Sequence, residues 1–166
     1  MSIVLNTDFV GKYHIPVTKY NDTLLDSYIE KYERKYLTIL LGVELYDLFI
    51  DEINVNNPPT DPIFEAIYNY IAFDNGFEIV ISNGIKEMLL GFIYFHFVYD
   101  NQQYQSPIGI VQQSGENGMV MNITGLSVTR FNESVDSFRA IQSYIRFHSE
   151  DYISFNGQYL GYEFIL

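Results

Sequence analysis

The chain has 166 residues and a mass of 19.3 kDa, with 9 Lys and Arg against 21 Asp and Glu, a formal net charge of −12 and a pI of about 4.4. One domain of this length can bury roughly 70% of its unfolded surface, and a chain so poor in cations is unsuited to direct binding of nucleic acid or anionic membranes. Hydrophobic residues make up 48% and aromatic residues 17%, which argues against disorder, and the absence of cysteine removes disulfides, zinc fingers, thiolate nucleophiles and iron–sulfur clusters together.

Residues 1–21, with Gly11 and Pro16 as breakers, read as an extended lead-in held by Ile3, Val4, Leu5 and Phe9. No signal peptide is read in the first 30 residues, which lack a basic start and a sustained apolar run. The Asn-x-Ser/Thr triplets at Asn21, Asn122 and Asn132 are then read as chance occurrences rather than glycan acceptors. Helical periodicity begins at Asp22 or Thr23, with Asp26 placed for a capping box. It runs through Leu24, Leu25, Tyr28, Ile29, Tyr32, Tyr36, Leu37, Leu40 and Leu41 until Gly42 interrupts. A second helix is expected from Val43 to about Ile53. Its wheel puts Val43, Tyr46, Phe49, Ile50 and Ile53 on one side and a carboxylate stripe, Glu44, Asp47 and Asp51, on the other.

Residues 54–60, with Pro58-Pro59, are a loop. Asp61 before Pro62 is an N-cap signal for a third helix, expected through Phe73 and burying Ile63, Phe64, Ile67, Tyr68 and Ile71. Residues 77–81 fit either a short strand or a helix end. A fourth helix, from Asn83 or Gly84 to Asp100, is apolar nearly all round, as suits the middle of a bundle. Its most apolar stretch, residues 88–99, is too short for a membrane span, which needs ~20 residues.

Residues 101–130 hold Pro107, four glycines and many β-branched residues. Asn117-Gly118 signals a hairpin turn between strands 108–112 and 119–123. Its apolar positions, Ile108, Ile110, Val111, Met119, Val120, Met121 and Ile123, are candidates for an assembly arm, because a lone two-stranded ribbon is marginal in water and its edges invite pairing with another chain. A fifth helix is expected from about Asn132 to Tyr152, with Val135, Phe138, Ile141, Tyr144, Ile145 and His148 inward, followed by an extended tail. The fold class is therefore mainly α, a single domain over 1–166: a lead-in (1–21), a core of about five helices (22–100 and 131–153), an arm (101–130) and a tail (154–166). Leu40, Phe49, Ile67, Leu89, Phe92, Ile93, Phe138 and Ile141 are expected to form one core.

Chemical motifs are sparse. His96 and Asp100 stand at i, i+4, but no third ligand is near in sequence, so His96 is read as a partly buried histidine bonded to a neighbouring polar group. His148 and Glu150 point in different directions on a helix. There is no phosphate-binding glycine loop and no Gly-x-Ser-x-Gly elbow. No catalytic residue, metal or cofactor is assigned, and the chain is expected not to be an enzyme. Charge is more informative. From Tyr36 through Ile85 there is no Lys or Arg, while eight carboxylates stand at Glu44, Asp47, Asp51, Glu52, Asp61, Glu65, Asp74 and Glu78. Such a one-signed block either serves solubility, keeps a surface from sticking to nucleic acid, or imitates it.

The run Leu24-x-x-Tyr28-Ile29-x-x-Tyr32-Glu33-x-x-Tyr36-Leu37-x-x-Leu40-Leu41-Gly42-x-Glu44-Leu45-Tyr46-x-x-Phe49 resembles the N-terminal helical pair of tailed-phage head–tail connector (adaptor) proteins. The likeness is to those of phages of Bacteroides-type hosts, including crAss-like phages. Gly84-Ile85-Lys86-Glu87-Met88-Leu89-x-x-Phe92-Ile93-Tyr94-Phe95-His96 and Arg130-Phe131-Asn132-Glu133-Ser134-Val135-Asp136 are similar to later helices of the same group. The resemblance spans roughly residues 22–155 and rests mostly on apolar packing positions. It implies a virion protein of the phage neck, made in the host cytoplasm. It would assemble as a homo-oligomeric, dodecameric ring that contacts the portal and other neck or tail proteins. The genome would pass through without specific DNA binding, and no membrane would be involved. Glu44, Asp47 and Asp51 are then candidates to face the lumen. The competing expectation is an acidic DNA mimic that inhibits a nucleic-acid-binding protein, although charged residues, at 18%, are few for a decoy.

Overall fold

The computed structural model describes residues 2–15, 19–101, 103–106, 109–112 and 123–160. Its element order is two short 3₁₀ turns (Asn6–Asp8 and Gly11–Tyr13), α1 (Lys19–Leu41), α2 (Val43–Val55), α3 (Pro62–Tyr68), β1 (Ile71–Asp74), β2 (Ile79–Ser82), α4 (Ile85–Asn101), β3 (Gln103–Ser106), β4 (Gly109–Gln112) and α5 (Ile123–Phe147). It is a mainly helical fold with two small antiparallel hairpins, β1–β2 and β3–β4.

α4 is the centre of the bundle. It packs most extensively on α5 and also on α1, and its residues 88–95 are buried without a break. Gly91 makes the α4–α5 approach possible: a Cβ there would collide with the Ser134 hydroxyl and stand 2.8 Å from the Arg130 carbonyl oxygen. On α1 the buried positions Leu25, Ile29, Tyr32, Tyr36, Leu37, Leu40 and Leu41 follow helical spacing. The eight residues Leu40, Phe49, Ile67, Leu89, Phe92, Ile93, Phe138 and Ile141 are all fully buried in one cluster.

Gly42, at φ +80°, separates α1 from α2, and a Cβ there would press to 2.6 Å of the Asn156 backbone. That close approach completes α1, because a helix end leaves carbonyls without intrahelical donors. The Leu41 carbonyl accepts the Asn156 N–H (3.2 Å) and the Ile39 carbonyl accepts the Gln158 N–H (2.8 Å). Leu40 accepts from the Gln142 side-chain amide (3.1 Å), which also reaches the Gln158 carbonyl. About two turns earlier on α1 the buried Glu33 carboxylate gathers the lead-in, accepting from the Ser2 hydroxyl (2.8 Å) and the N–H groups of Ile3 and Val4 (3.1 Å each). Ile3, Val4 and Phe9 are buried, but Leu5 turns outward, 55% exposed.

Several sequence expectations require correction. α1 begins three residues before Asp22. On α2 the buried stripe is Leu45, Phe49 and Ile53, while Val43 is exposed and Tyr46 and Ile50 are half-buried. The third helix has the expected Asp61 cap, whose carboxylate accepts the Ile63 N–H at 2.9 Å, yet it stops at Tyr68 rather than Phe73. Residues 71–74 instead pair with 79–82, joined by residues 75–78, with Gly76 at φ +88° and the Asn75 side chain accepting from the N–H groups of Phe77 and Glu78. The tight turn with Gly76-Phe77 at its centre, closed by the Asn75 N–H to the Glu78 carbonyl at 3.2 Å, favours this pairing over one more helical turn. α5 starts at Ile123, nine residues before Asn132, and ends at Phe147 rather than Tyr152. β4 matches part of the expected strand 108–112 and pairs with Gln103–Ser106, while residues 119–122 of the expected partner strand lie outside the described residues.

Candidate functional site

Three places gather polar or unusually placed side chains. The first is the α1–α4 seam. Tyr28, Tyr32 and Tyr36 stand one turn apart on α1, facing Phe92, His96 and Asp100, one turn apart on α4. Tyr36 stacks on Phe92 with ring centroids 3.9 Å apart, and Tyr32 stacks on the His96 imidazole at 3.8 Å and 3°. The Tyr36 hydroxyl and His96 Nε2 lie 2.7 Å apart, and the Tyr28 hydroxyl donates to the Asp100 carboxylate at 2.9 Å. Burial lowers the His96 pKa to about 4, with the Lys35 charge adding to it, against the opposing pull of Asp100. His96 is thus a neutral, hydrogen-bonded histidine at neutral pH. The seam is a structural zipper whose rings are filled by one another.

The second place is where the lead-in meets α4 and α5. Lys12 Nζ lies 2.6 Å from Glu87 and 3.7 Å from Glu133, and the Tyr13 hydroxyl donates to Glu87 at 3.1 Å. Burial first, and the Glu87 charge second, push the Tyr13 phenol well above its usual range. Lys86 pairs with Asp8 at 2.9 Å. These contacts pin residues 8–13 to the bundle. His148 packs against Phe73, Tyr144 and Phe147, with Nδ1 2.9 Å from the Tyr144 carbonyl oxygen. Among the described residues no three His, Asp or Glu side chains come together as a metal site.

The third place is the outer surface of α2. Glu44, Asp47 and Asp51 are all exposed, on the side of the helix away from Leu45, Phe49 and Ile53, and none forms an ion pair among the described residues. Glu52, in the same carboxylate block, has a different task. It accepts from the Thr60 N–H (2.9 Å), the Asn56 amide (3.2 Å) and the Asp61 N–H (3.2 Å), which closes the α2–α3 loop and lowers its pKa.

Of the arm candidates, Ile108, Met119, Val120 and Met121 lie outside the described residues. Ile110 and Val111 are on β4, and Ile123 is the first residue of α5, so the expected strand 119–123 does not include it. The apolar surface that the sequence reading missed is β1–β2. Phe77 is 98% exposed, Ile79 72%, Ile81 55% and the preceding Tyr70 61%. The Asn75-Gly76 dipeptide, flanked by alternating apolar residues, is the signal that marks it. A second apolar surface surrounds the segment after α5, where Ile153 is 89% exposed and Tyr159 77%, beside Val43 of α2 at 63%.

No protein-family model matches the chain, and comparisons with curated proteins and with solved structures find no match. No helix among the described residues is long and apolar enough to cross a membrane.

Proposed function

We propose that the chain is a structural subunit of a tailed-phage neck: a ring beneath the portal that joins head to tail and lets the genome pass. The observation that carries this reading is the unpaired acidic face of α2. Carboxylates fixed on a rigid helix, with no ion-pair partner among the described residues, repel phosphates at short range and keep a conduit from binding what moves through it. The resemblance of residues 22–155 to connector proteins supplies the architecture, and the two exposed apolar surfaces are what a subunit needs to meet its neighbours.

Electron micrographs of the purified protein, with labelling of the protein on virions, test the reading. Rings in solution and label at the neck support it. Asp47→Lys and Asp51→Lys combined should leave the subunit folded, since exposed substitutions usually change stability by ~0.5 kcal/mol or less. Rings carrying both lysines should retain DNA at low salt and slow genome ejection. Normal ejection together with no DNA affinity at low salt sinks the lumen assignment.

A further inference from the structure

We propose that the β1–β2 hairpin is the knob of a head-to-tail contact between copies of this chain, with Phe77 seating in the groove beside Arg146 of the next copy. The inference rests on the self-assembly part of the function proposed above and names the surfaces that accomplish it.

Strand alternation places Tyr70, Ala72, Ile79 and Ile81 on the outer face of the hairpin, with Ile71 and Val80 turned inward and Phe77 at the tip. With aromatic side chains contributing 150–250 Å² each when fully bare, this surface offers roughly 500 Å² of apolar area. That is near the largest patch a monomer ordinarily shows. It is also more than half of the ~800 Å² each partner contributes to a stable interface. The tip is acidic as well as apolar, because Asp74 and Glu78 flank it and both are exposed.

Charge chooses the receiving surface. A groove of about 510 Å³ between α2, α3 and the segment after α5 is rimmed by Asp51, Glu52, Asp61 and Asp151, which would repel the tip. A second groove, of about 430 Å³, has the apolar residues Ile39, Val43, Ile153 and Phe155 beside the polar Thr38, Ser154, Asn156 and Gln158, with Glu44 its one carboxylate. Beside it the exposed Arg146 guanidinium lies 4.5 Å over the Tyr159 ring and 5.7 Å over Phe155, and bonds the Gln142 side-chain oxygen at 3.5 Å. Among the described residues it has no carboxylate partner. A groove with apolar residues among polar ones and a cation at its edge can take an aromatic tip with carboxylates at its sides.

Geometry chooses the occupant. Phe73, on the inner face of the hairpin, packs on Tyr144 and Phe147 of α5 at 5.4 Å each. At 3.6 residues per turn, Arg146 lies roughly 130° round α5 from those two rings. Knob and groove therefore sit on opposite sides of one helix and cannot satisfy each other within a chain. Two hairpins meeting symmetrically would press Asp74 and Glu78 against their own copies. The arrangement that satisfies both surfaces is heterologous, each copy giving its hairpin to the next, and this is the contact type that closes into rings.

The cysteine-free chain makes the test clean. Phe77→Cys and Ile153→Cys are made separately, mixed, mildly oxidised and run on a non-reducing gel. The expected result is an inter-chain disulfide in the mixture at least tenfold above either variant alone, and a ladder from the doubly substituted chain. Arg146→Glu should reduce self-association measured by light scattering at least tenfold, and adding Glu78→Arg should restore it. Cross-linking of Phe77→Cys with itself as efficiently as in the mixture, or a mixture that stays uncross-linked, overturns the proposal. Rings seen by electron microscopy without the 77–153 disulfide reject the hairpin contact and leave the neck reading standing. The disulfide in a protein that labels no virion retains the contact and rejects the neck.

Discussion

Between α1 and α4, Tyr32, Tyr36, Phe92 and His96 stack ring on ring, with the Tyr36 hydroxyl meeting the His96 imidazole inside the seam. On the β1–β2 hairpin, Phe77, Ile79 and Ile81 face solvent. Composition treats the two regions alike, since both are rich in aromatic and branched side chains. What separates them is where the partner comes from. The seam is complementary within the chain, ring against ring at helical spacing. The hairpin buries one face, through Phe73 and Val80, and leaves the other uncovered by the described residues. Rings paired within the chain contribute to the stability of the fold, and rings left in solvent add little to it.

Truncating a ring in the seam gives the largest effect that sharpens this contrast. Phe92 is fully buried against Tyr36, Phe131 and Phe138, so Phe92→Ala should cost about 3–5 kcal/mol in urea unfolding. A loss below about 1 kcal/mol would mean that the seam is not the centre of the fold. Gly91→Ala, one residue away, adds volume where Ser134 and the Arg130 carbonyl already close the gap, and should cost about 1–3 kcal/mol through overpacking.

The histidine gives a pH signature that the hairpin lacks. Its pKa falls from an ordinary 6.5 to about 4 on folding, so between those values the unfolded chain binds more protons than the folded one. Its contribution is therefore complete above about pH 6.5 and is lost as pH falls toward 4. With its partial exposure allowed for, the loss is on the order of 1–2 kcal/mol. Unfolding midpoints compared between the parent and His96→Gln at pH 7.5, 5.5 and 4.5 should show the parent losing its advantage over this window. Parallel curves would place the imidazole in free contact with solvent. The smallest effect belongs to the hairpin: Phe77→Ala should move subunit stability by ~0.5 kcal/mol or less. A larger loss in dilute monomer would mean that the ring packs on its own bundle.

Helical periodicity located the seam because its positions repeat every three or four residues along α1 and α4. The reading of His96 as a hydrogen-bonded core histidine describes what is found, but its partner, Tyr36, lies 60 positions away in sequence and no local pattern names it. The end of α3 was illegible because Ile71 and Phe73 continue an apolar spacing that suits either a helix or a strand, and only the turn at Asn75-Gly76 decides. The start of α5 was hidden by Ile123, Thr124, Gly125, Val128 and Thr129, residues of weak helix propensity. Packing overrides that preference: Ser127, Phe131 and Ser134 are buried, and the Thr129 hydroxyl donates back to the Gly125 carbonyl at 2.9 Å. The acidic face of α2 was legible as a stripe. The tasks of Glu33 and Glu52 were not, because each carboxylate is given its role by N–H groups that only the folded chain brings within reach.

The carbonyls that end α1 receive their donors from Gln142, Asn156 and Gln158. A ribosome must therefore deliver more than a hundred further residues before the first helix is finished. Until then the nascent chain holds α1, α2 and α4 with apolar faces uncovered, a state that invites capture by chaperones or by neighbouring chains. Such long-range closure favours one cooperative folding step over stepwise growth. It also makes the completion of α1 wait for a segment that leaves the ribosome long after the helix itself.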